Sequence, residues 1–267
     1  MEIKLLSWNI RGFNNLVARK NVKSTVVRKK VNILCLQETK CSSWNTNLES
    51  TIWEDESHQW LSQNAEGLSG GLAVSWDTIV FQYMGHAQSK HWIWVQLKDL
   101  SNNFCFHVIN IYAPQRPSLK KQLWNQLFEI WECTTSDPTS FVGDFNCIRN
   151  EKECANCIYR ARDSYNFNNF IKKGNLHDIE LTNGLFTWFG SKNRKSRLDR
   201  VLVNSSWLDK GDWSLQALNR KSSDHKGLLL TANQLDWGPK PFKAFNHWLE
   251  EPVLKILLQQ FLDKKTG

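Results

Sequence analysis

SDHKGLLL, residues 223–230, is the stretch of this sequence that says most about its fold. It places Ser223, Asp224 and His225 directly before a short apolar run. Five other polar clusters lie beside similar runs upstream: SWNIRG (7–12), LQETK (36–40), NIYAP (110–114), GDFN (143–146) and SRLDR (196–200). Because such runs are typical of buried strands, the pattern predicts a sheet-containing protein whose polar residues collect at strand ends.

Strand and helix candidates alternate over the first 230 residues. Apolar or alternating runs predict strands at 3–8, 31–36, 71–76, 92–97, 104–111, 140–142, 197–203 and 228–230. Helical spacing and start signals predict helices at 16–30, 118–133 and 164–173, with a shorter candidate at 44–51. Residues 71–76 and 79–84 are predicted to pair as a hairpin. The alternation indicates an α/β or α+β domain with a mixed sheet.

The sequence changes character after residue 230. A breaker-rich stretch, WGPKP (237–241), precedes an apolar helix candidate at 252–262. We therefore expect one domain over residues 1–232 and a linker-like tail with a helix over 233–267. The chain is expected to be part of a longer protein.

Composition favours a globular protein that binds an anionic partner. The chain is 41% hydrophobic and 22% charged, and its formal net charge of +8 would attract a phosphate backbone. Two basic stretches, 192–200 and 220–226, overlap the polar clusters, where a substrate phosphate would need them. Most of the fourteen Trp are expected in the core. No apolar run reaches the ~20 residues of a membrane span.

The seven cysteines, an odd number, are expected to be reduced thiols. No signal-peptide core follows Met1, so we expect a nuclear protein, or one both cytoplasmic and nuclear, and not a secreted one. Cys154 and Cys157 form a CxxC without a second pair at zinc-finger spacing, which disfavours a zinc site.

Several clusters carry residue types suited to phosphate chemistry. Asp144 and Asn146 flank Phe145, so strand alternation would place both on one side, where they can hold and deprotonate a water. GDFN could equally be a turn. Glu38 follows an apolar run, and its carboxylate suits Mg²⁺, although a cap or surface role is the alternative. Asn9 also follows a strand and could orient a ligand or bind a metal-bound water.

His225 is the natural contact for a substrate phosphate. Asp199 or Asp224 could supply the carboxylate that fixes its tautomer. The Tyr112 phenol could donate to a phosphoryl oxygen. The chain lacks a P-loop and a G-x-S-x-G motif, which disfavours nucleotide hydrolysis and serine-ester chemistry. Together the six clusters favour a metal-dependent phosphodiesterase.

In this order the six clusters resemble those of the endonuclease/exonuclease/phosphatase superfamily, which includes exonuclease III, abasic-site endonucleases and DNase I. The resemblance spans about residues 1–231. It implies a DNase I-like, four-layered α/β sandwich, with two packed mixed β-sheets flanked by helices and the active site at one edge.

The resemblance also implies roles for individual residues. Mg²⁺, with Mn²⁺ as the alternative, would lie at Glu38, Asn9 and Asp224, with Glu38 as the direct ligand. The implied catalytic residues are Asp144 and Asn146 at the attacking water, Tyr112 and His225 at the phosphate, and Asp199 supporting His225. We also expect Arg11, Lys40, Trp188 and Arg197 to contact the substrate.

Within the superfamily, the chain is similar to the endonuclease domain of plant-type LINE non-LTR retrotransposons. The similarity rests on SWNIRG, LQETK, NGLFTW (183–188), SRLDRVLV (196–203), SDH and the tail KPFKAFNHWL (240–249). It implies an endonuclease that nicks DNA and leaves a 3′-hydroxyl for target-primed reverse transcription. The implied partners are DNA and a reverse transcriptase region C-terminal to this segment in a longer parent protein.

Three departures bear on the substrate. Arg11 stands where abasic-site enzymes often carry an Asp, and Ser196 stands where an aromatic residue lines their abasic pocket. Both argue against dedicated abasic-site repair. Many relatives have a Pro two residues after SDH, where this chain has Gly227. Two alternatives stay open: a phosphatase-type member acting on a small phosphorylated substrate, and a catalytically degenerate nucleic-acid-binding remnant.

Overall fold

Two six-stranded mixed sheets form the centre of the molecule. The computed structural model describes residues 3–53, 57–67 and 69–233. In order across it, the first sheet contains β14 (Asp212–Ala217), β15 (Leu228–Asn233), β1 (Lys4–Asn9), β2 (Ile33–Gln37), β4 (Leu72–Asp77) and β3 (His58–Gln63). The second contains β10 (His177–Asp178), β13 (Asp199–Val203), β8 (Thr139–Asp144), β7 (Cys105–Tyr112), β6 (Trp92–Asp99) and β5 (Phe81–Ser89).

Helices and short elements complete the described part of the chain. The α-helices are α1 (Leu16–Lys29), α2 (Thr46–Glu49), α3 (Pro117–Thr134), α4 (Ala161–Lys173) and α5 (Ser205–Leu208). A 3₁₀ turn covers Glu151–Glu153. A small third sheet joins β11 (Trp188–Phe189), β12 (Lys195–Ser196) and β9 (Cys154–Ala155).

Three apolar clusters define four layers. The first lies between the sheets and includes Leu5, Val108 and Val142. The second packs α3 and α4 against the outer face of the second sheet, and the third packs α1 against the outer face of the first. The predicted four-layered α/β sandwich is therefore confirmed.

Burial on both faces explains why apolar residues in the central strands occur consecutively, as in Leu5-Leu6 of β1, and do not strictly alternate with polar ones. In β1, Leu5 faces the opposite sheet, whereas Leu6 and Trp8 face α1. Strands β1 and β2 run parallel, as do β7 and β8, and the remaining ladders of the two sheets are antiparallel. The polar residues that follow β1, β2, β7 and β8 therefore lie at one end of the sandwich.

The predicted hairpin of residues 71–76 and 79–84 is wrong. Strand β4 pairs with β2 and β3 in the first sheet, whereas β5 pairs with β6 in the second. The turn after Asp77 carries the chain across the sandwich, and Phe81 enters the core between the sheets. Strand β4 is almost wholly buried and already has a partner on each side, so it has no edge to offer β5.

A polar contact joins the two sheets within the otherwise apolar interior. Gln37 Nε2 donates to Asn110 Oδ1 at 2.7 Å and to Ser7 Oγ at 3.0 Å. Asn110 Nδ2 donates to the main-chain carbonyls of Leu36 and Ala73, both at 3.0 Å. All three polar side chains are buried, so these bonds are shielded from water.

Two further predictions concern the cysteines and the C-terminal segment. The structure places the sulfur atoms of Cys154 and Cys157 in contact, and the reduced state expected for the cysteines stays a prediction. The helix candidate at 252–262 lies outside the described residues, and the domain boundary near 232 stays a prediction. Among the described helices, none is long and apolar enough to cross a membrane.

Candidate active site

Three polar residues stand in a row across adjacent strands of the second sheet. Tyr112 at the end of β7 is in register with Asp144 at the end of β8, and Asp144 is in register with Asp199 at the start of β13. On β8 and β13 the aspartates continue the alternation of Val142 and Val201, so their side chains project towards the first sheet. The strand register thus places two carboxylates and a phenol side by side.

Asp144 is held by groups from both sheets. Its Oδ2 accepts a hydrogen bond from Asn9 Nδ2 at 2.9 Å, and its Oδ1 accepts one from the Asn146 main-chain N–H at 2.9 Å. The Asn146 side chain points elsewhere, donating to the Ala113 carbonyl at 2.7 Å and accepting from Gln115. Asn146 therefore orients Asp144 through its backbone.

His225 lies between the two aspartates. Its Nδ1 is 2.9 Å from Asp199 Oδ2, a charge-assisted hydrogen bond that fixes the ring. Its Nε2 is 3.9 Å from Asp144 Oδ2, too far for a direct hydrogen bond. Of the two carboxylates weighed as the partner of His225, the structure selects Asp199. The Nε2 position is left to face a water or a phosphate oxygen.

Two hydroxyl groups support this arrangement, and sequence reasoning assigned neither a role. Thr187 is fully buried, and its Oγ1 accepts from the main-chain N–H groups of Leu198 and Asp199, both at 3.0 Å. Ser223 Oγ donates to the Asn9 carbonyl at 2.7 Å and accepts from the His225 N–H at 3.0 Å. The position of Thr187 in NGLFTW, one residue before Trp188, was the available signal.

Burial and charge together set the protonation of this cluster. Burial is the main reason that the pKa of Asp144 is raised to about 6; the charge of His225 opposes the rise, and that of Asp199 adds to it. Burial alone would lower the pKa of His225, but the charges of Asp199 and Asp144 outweigh it and raise that pKa to about 9. Near neutral pH, Asp144 is therefore mostly a carboxylate and His225 an imidazolium.

Tyr112 stays a neutral phenol. Burial raises its pKa well above the usual value, and the charges of Glu38 and Asp144 raise it further. Its hydroxyl shares a hydrogen bond with Glu38. A permanently protonated phenol at this place can donate to an anionic oxygen.

A second group of acidic residues lies beside the first. Arg11 connects its members: its guanidinium donates to Asp224 Oδ2, its Nε is 3.7 Å from Glu38 Oε1, and its main-chain N–H donates to Asn9 Oδ1 at 3.1 Å. Lys40 Nζ also lies 3.1 Å from Glu38 Oε1. The three residues predicted to hold a cation thus all contact one arginine.

The donor set of this second group suits a hard divalent cation. Among the residues that the structure describes, Asp224 Oδ1 is buried and has no hydrogen-bond partner, the kind of orphaned oxygen that a metal ion satisfies. Asp144, Asp199 and His225 also offer ligand atoms within 4.8 Å of one another and could hold an ion. We favour the group with Asp224, because Asp199 and His225 already satisfy each other.

The backbone around these residues is strained. Arg11, Glu38, Lys40 and Asn146 have φ angles of 50°, 53°, 56° and 47°, in the left-handed region. A non-glycine residue there costs about 1 kcal/mol. Such strain persists where the surrounding structure enforces it, and it collects here where the strands end.

The other two predicted substrate contacts, like Arg11 and Lys40, have partners within the protein. Trp188 donates its indole N–H to Asp224 Oδ2 at 2.9 Å, and the Arg194 guanidinium lies over its ring. Arg197 is only 8% exposed, and its guanidinium donates to Asp178 and the Ile179 carbonyl. The structure brings Arg11, Lys40 and Trp188 to the cluster but commits Arg197 to internal partners.

A cavity of about 470 Å³ opens beside Asn146. Its lining includes Lys120, Arg160, Arg194 and Ser196. Ile148, Ile158 and Leu198 also line it, so Ser196 lies in a wall that mixes basic and apolar side chains.

Comparison with known proteins gives consistent results. Residues 6–225 match the model of the Endonuclease/Exonuclease/phosphatase family. The chain is 23% identical over 234 residues to the DNA-(apurinic or apyrimidinic site) endonuclease of Dictyostelium discoideum, covering 78% of this chain and 64% of that relative. The chain therefore spans less than two thirds of that relative's length.

Two solved structures share the fold. The AP endonuclease LMAP from Leishmania major superposes with a TM-score of 0.71 at 13% identity, over 87% of this chain and 88% of that one. The endonuclease domain of TRAS1, a telomere-specific non-LTR retrotransposon, gives 0.67 at 15% identity, over 87% and 99%. Identities this low show the common fold alone.

Proposed function

Because this chain belongs to the endonuclease/exonuclease/phosphatase family, we propose that it is a metal-dependent endonuclease that hydrolyses a phosphodiester bond in DNA. The observation that carries the proposal is the arrangement Asp199–His225–Asp144, in which one imidazole lies between two buried carboxylates at the end of both sheets. Asn9 from the first sheet completes it by donating to Asp144.

The protonation states support a separate chemical role for each residue of this arrangement. Asp144, a carboxylate above pH 6, accepts a proton from the attacking water. His225, an imidazolium below pH 9, places positive charge and an Nε2–H donor beside the scissile phosphate. Tyr112 donates a further hydrogen bond to a phosphoryl oxygen. Asp199 holds the imidazole in place and stabilises its charge.

Mg²⁺ is the proposed cofactor, with Mn²⁺ as a substitute. Glu38, Asp224 and Asn9 would hold it, with Glu38 as the direct ligand. A bound Mg²⁺ supplies Lewis-acid stabilisation of charge on the phosphoryl and leaving oxygens.

DNA is the proposed substrate. The net charge of +8 favours a polyanion. Basic side chains lie over aromatic rings next to the cluster: Arg194 over Trp188, and Arg220 and Lys226 over Phe189. A surface that combines cations with rings suits phosphates and unstacked bases. The serine in the wall of the cavity beside Asn146 supports a target other than an abasic site.

The biological context is also a proposal. The likeness of the sequence motifs to LINE retrotransposon endonucleases supports a nick that leaves a 3′-hydroxyl for target-primed reverse transcription. A reverse transcriptase region would then follow in the parent protein, and the nucleus would be the place of action.

Plasmid nicking tests the proposal. The purified chain should convert supercoiled plasmid to open circles with Mg²⁺ and not with EDTA. Replacing the carboxylate that accepts the proton, Asp144→Asn, should lower the rate by at least ~100-fold. Asp209→Asn, an exposed position at the end of α5, is the matched control and should cut normally.

The ends of the nick test the proposed context. A DNA polymerase should extend the nicked strand directly if a 3′-hydroxyl is left. Intact plasmid in Mg²⁺, from folded protein that releases phosphate from a small phosphorylated substrate, would instead support the phosphatase alternative.

A further inference from the structure

Arg11 contacts every residue that is proposed to hold the cation. Its guanidinium reaches Asp224 and Glu38, and its main-chain N–H occupies Asn9 Oδ1. One residue therefore meets all three of the proposed ligands.

The local backbone directs Arg11 to this place. Strand β1 ends at Asn9, and the left-handed φ of 50° at Arg11, followed by a φ of 123° at Gly12, turns the chain sharply. The Asn9 side chain accepts the Arg11 N–H and stabilises the turn. Arg11 is thus held over the end of β1, although 49% of its side chain stays exposed to solvent.

The charge of Arg11 cannot be removed by pH. A guanidinium stays protonated in proteins, so this positive charge is permanent. Two positive charges cannot share the same carboxylate oxygens without a large cost in repulsion. A divalent cation on the unpartnered Asp224 Oδ1 would lie close to the guanidinium on Oδ2 of the same carboxylate, so its binding is weakened until the guanidinium moves away.

We infer that Arg11 competes with the divalent cation for Asp224 and Glu38 and so lowers the affinity of the free protein for metal. The inference rests on the metal site in the proposed function. The exposed half of the side chain gives the guanidinium room to move out when an ion enters. Lys40 neutralises Glu38 alone, since it has no contact with Asp224 among the described ion pairs, and it is the weaker competitor.

Calorimetric titration of the DNA-free protein with Mn²⁺ tests the inference without measuring cleavage. Arg11→Gln should bind Mn²⁺ about tenfold more tightly than the wild type, because the competing charge-assisted hydrogen bond is gone. Arg28→Gln removes the same charge at the end of α1, next to the start of β2 and so at the opposite end of the sandwich. It should bind Mn²⁺ as the wild type does.

The outcomes separate this inference from the function it rests on. Equal affinities for wild type and Arg11→Gln, with both losing Mn²⁺ in a Glu38→Gln background, would overturn the role of Arg11 and leave the metal site intact. Weaker binding by Arg11→Gln would also overturn it. If neither folded protein bound Mn²⁺, the competition and the proposed metal site would both be wrong. Thermal melts of each variant establish that it is folded.

Discussion

The pairing of Asp199 with His225 makes a quantitative prediction about pH. Asp199→Asn keeps the shape of the side chain and removes the largest influence that raises the pKa of His225. Without it, burial should bring that pKa to the ordinary value of ~6.5 or below. Asp144, with a pKa of about 6, sets the acidic side of the rate profile.

The expected fall in the nicking rate of Asp199→Asn follows from the protonated fraction of His225. With a pKa of about 9, the imidazole is ~97% protonated at pH 7.5, whereas with a pKa of ~6.5 it is ~10% protonated. The nicking rate of Asp199→Asn at pH 7.5 should therefore fall about tenfold from this cause alone. The optimum should move from between pH 6 and 9 to below pH 7.

The assay is the initial rate of plasmid nicking from pH 5 to 10 at constant ionic strength and Mg²⁺. Asp209→Asn should keep the wild-type profile. If Asp199→Asn lost activity by the same factor at every pH, with its alkaline limb still near 9, the electrostatic role of Asp199 would be refuted. Asp199 would then act through geometry alone.

Three further predictions concern stability and are measured by thermal or urea unfolding. Gly143→Ala would place a Cβ 2.1 Å from the Ile111 carbonyl oxygen at a φ of 133°, so we expect a loss of about 3 kcal/mol; a variant as stable as the wild type would contradict this. Thr187→Val leaves two main-chain N–H groups, that of Asp199 included, without their acceptor, so a loss of about 2 kcal/mol is expected, with Thr187→Ser as the conservative rescue. The folded pKa of His225, about 9, lies above the ~6.5 of an unfolded chain, so its contribution to stability is complete below pH ~6.5 and is lost as the pH rises through 9. The melting temperature of His225→Gln should then fall less than that of the wild type between pH 7 and 10, and parallel curves would argue against the raised pKa.

Strand positions were readable from the sequence wherever both faces of the strand are buried. The strands β1, β2, β4 and β7 are almost wholly buried, and their sequences contain short apolar runs. Strands β3 and β14 were missed, because they lie at the edges of the first sheet and read HQWLSQ and DWSLQA. Edge strands can be polar since one side meets solvent, so their pattern is weak.

Strand partners were harder to predict than strands. The hairpin error arose because residues 71–76 and 79–84 are adjacent in sequence and each resembles a strand. Which strand pairs with which depends on the two sheets packing face to face, and local periodicity carries no information on that.

The residues of the candidate site likewise differ in how well the sequence alone predicted their positions. Asp144 and His225 could be located because their motifs follow or precede apolar runs. Arg197 was expected at the substrate because it lies in a basic motif, but Asp178 and Glu153, distant in sequence, enclose it. The contact of Arg11 with the acidic residues likewise depends on a backbone turn that the letters SWNIRG do not reveal.

The amide pair Gln37–Asn110 affects the geometry of the candidate site, although it lies in the interior between the sheets. Apolar contacts are non-directional, whereas the hydrogen bonds between the sheets are directional and help to set the offset of one sheet on the other. Asn9 and Asp144 belong to different sheets, so their alignment depends on that offset. A substitution at this pair would therefore be felt at the candidate site, through the alignment of Asn9 with Asp144, as well as in the interior where the pair lies.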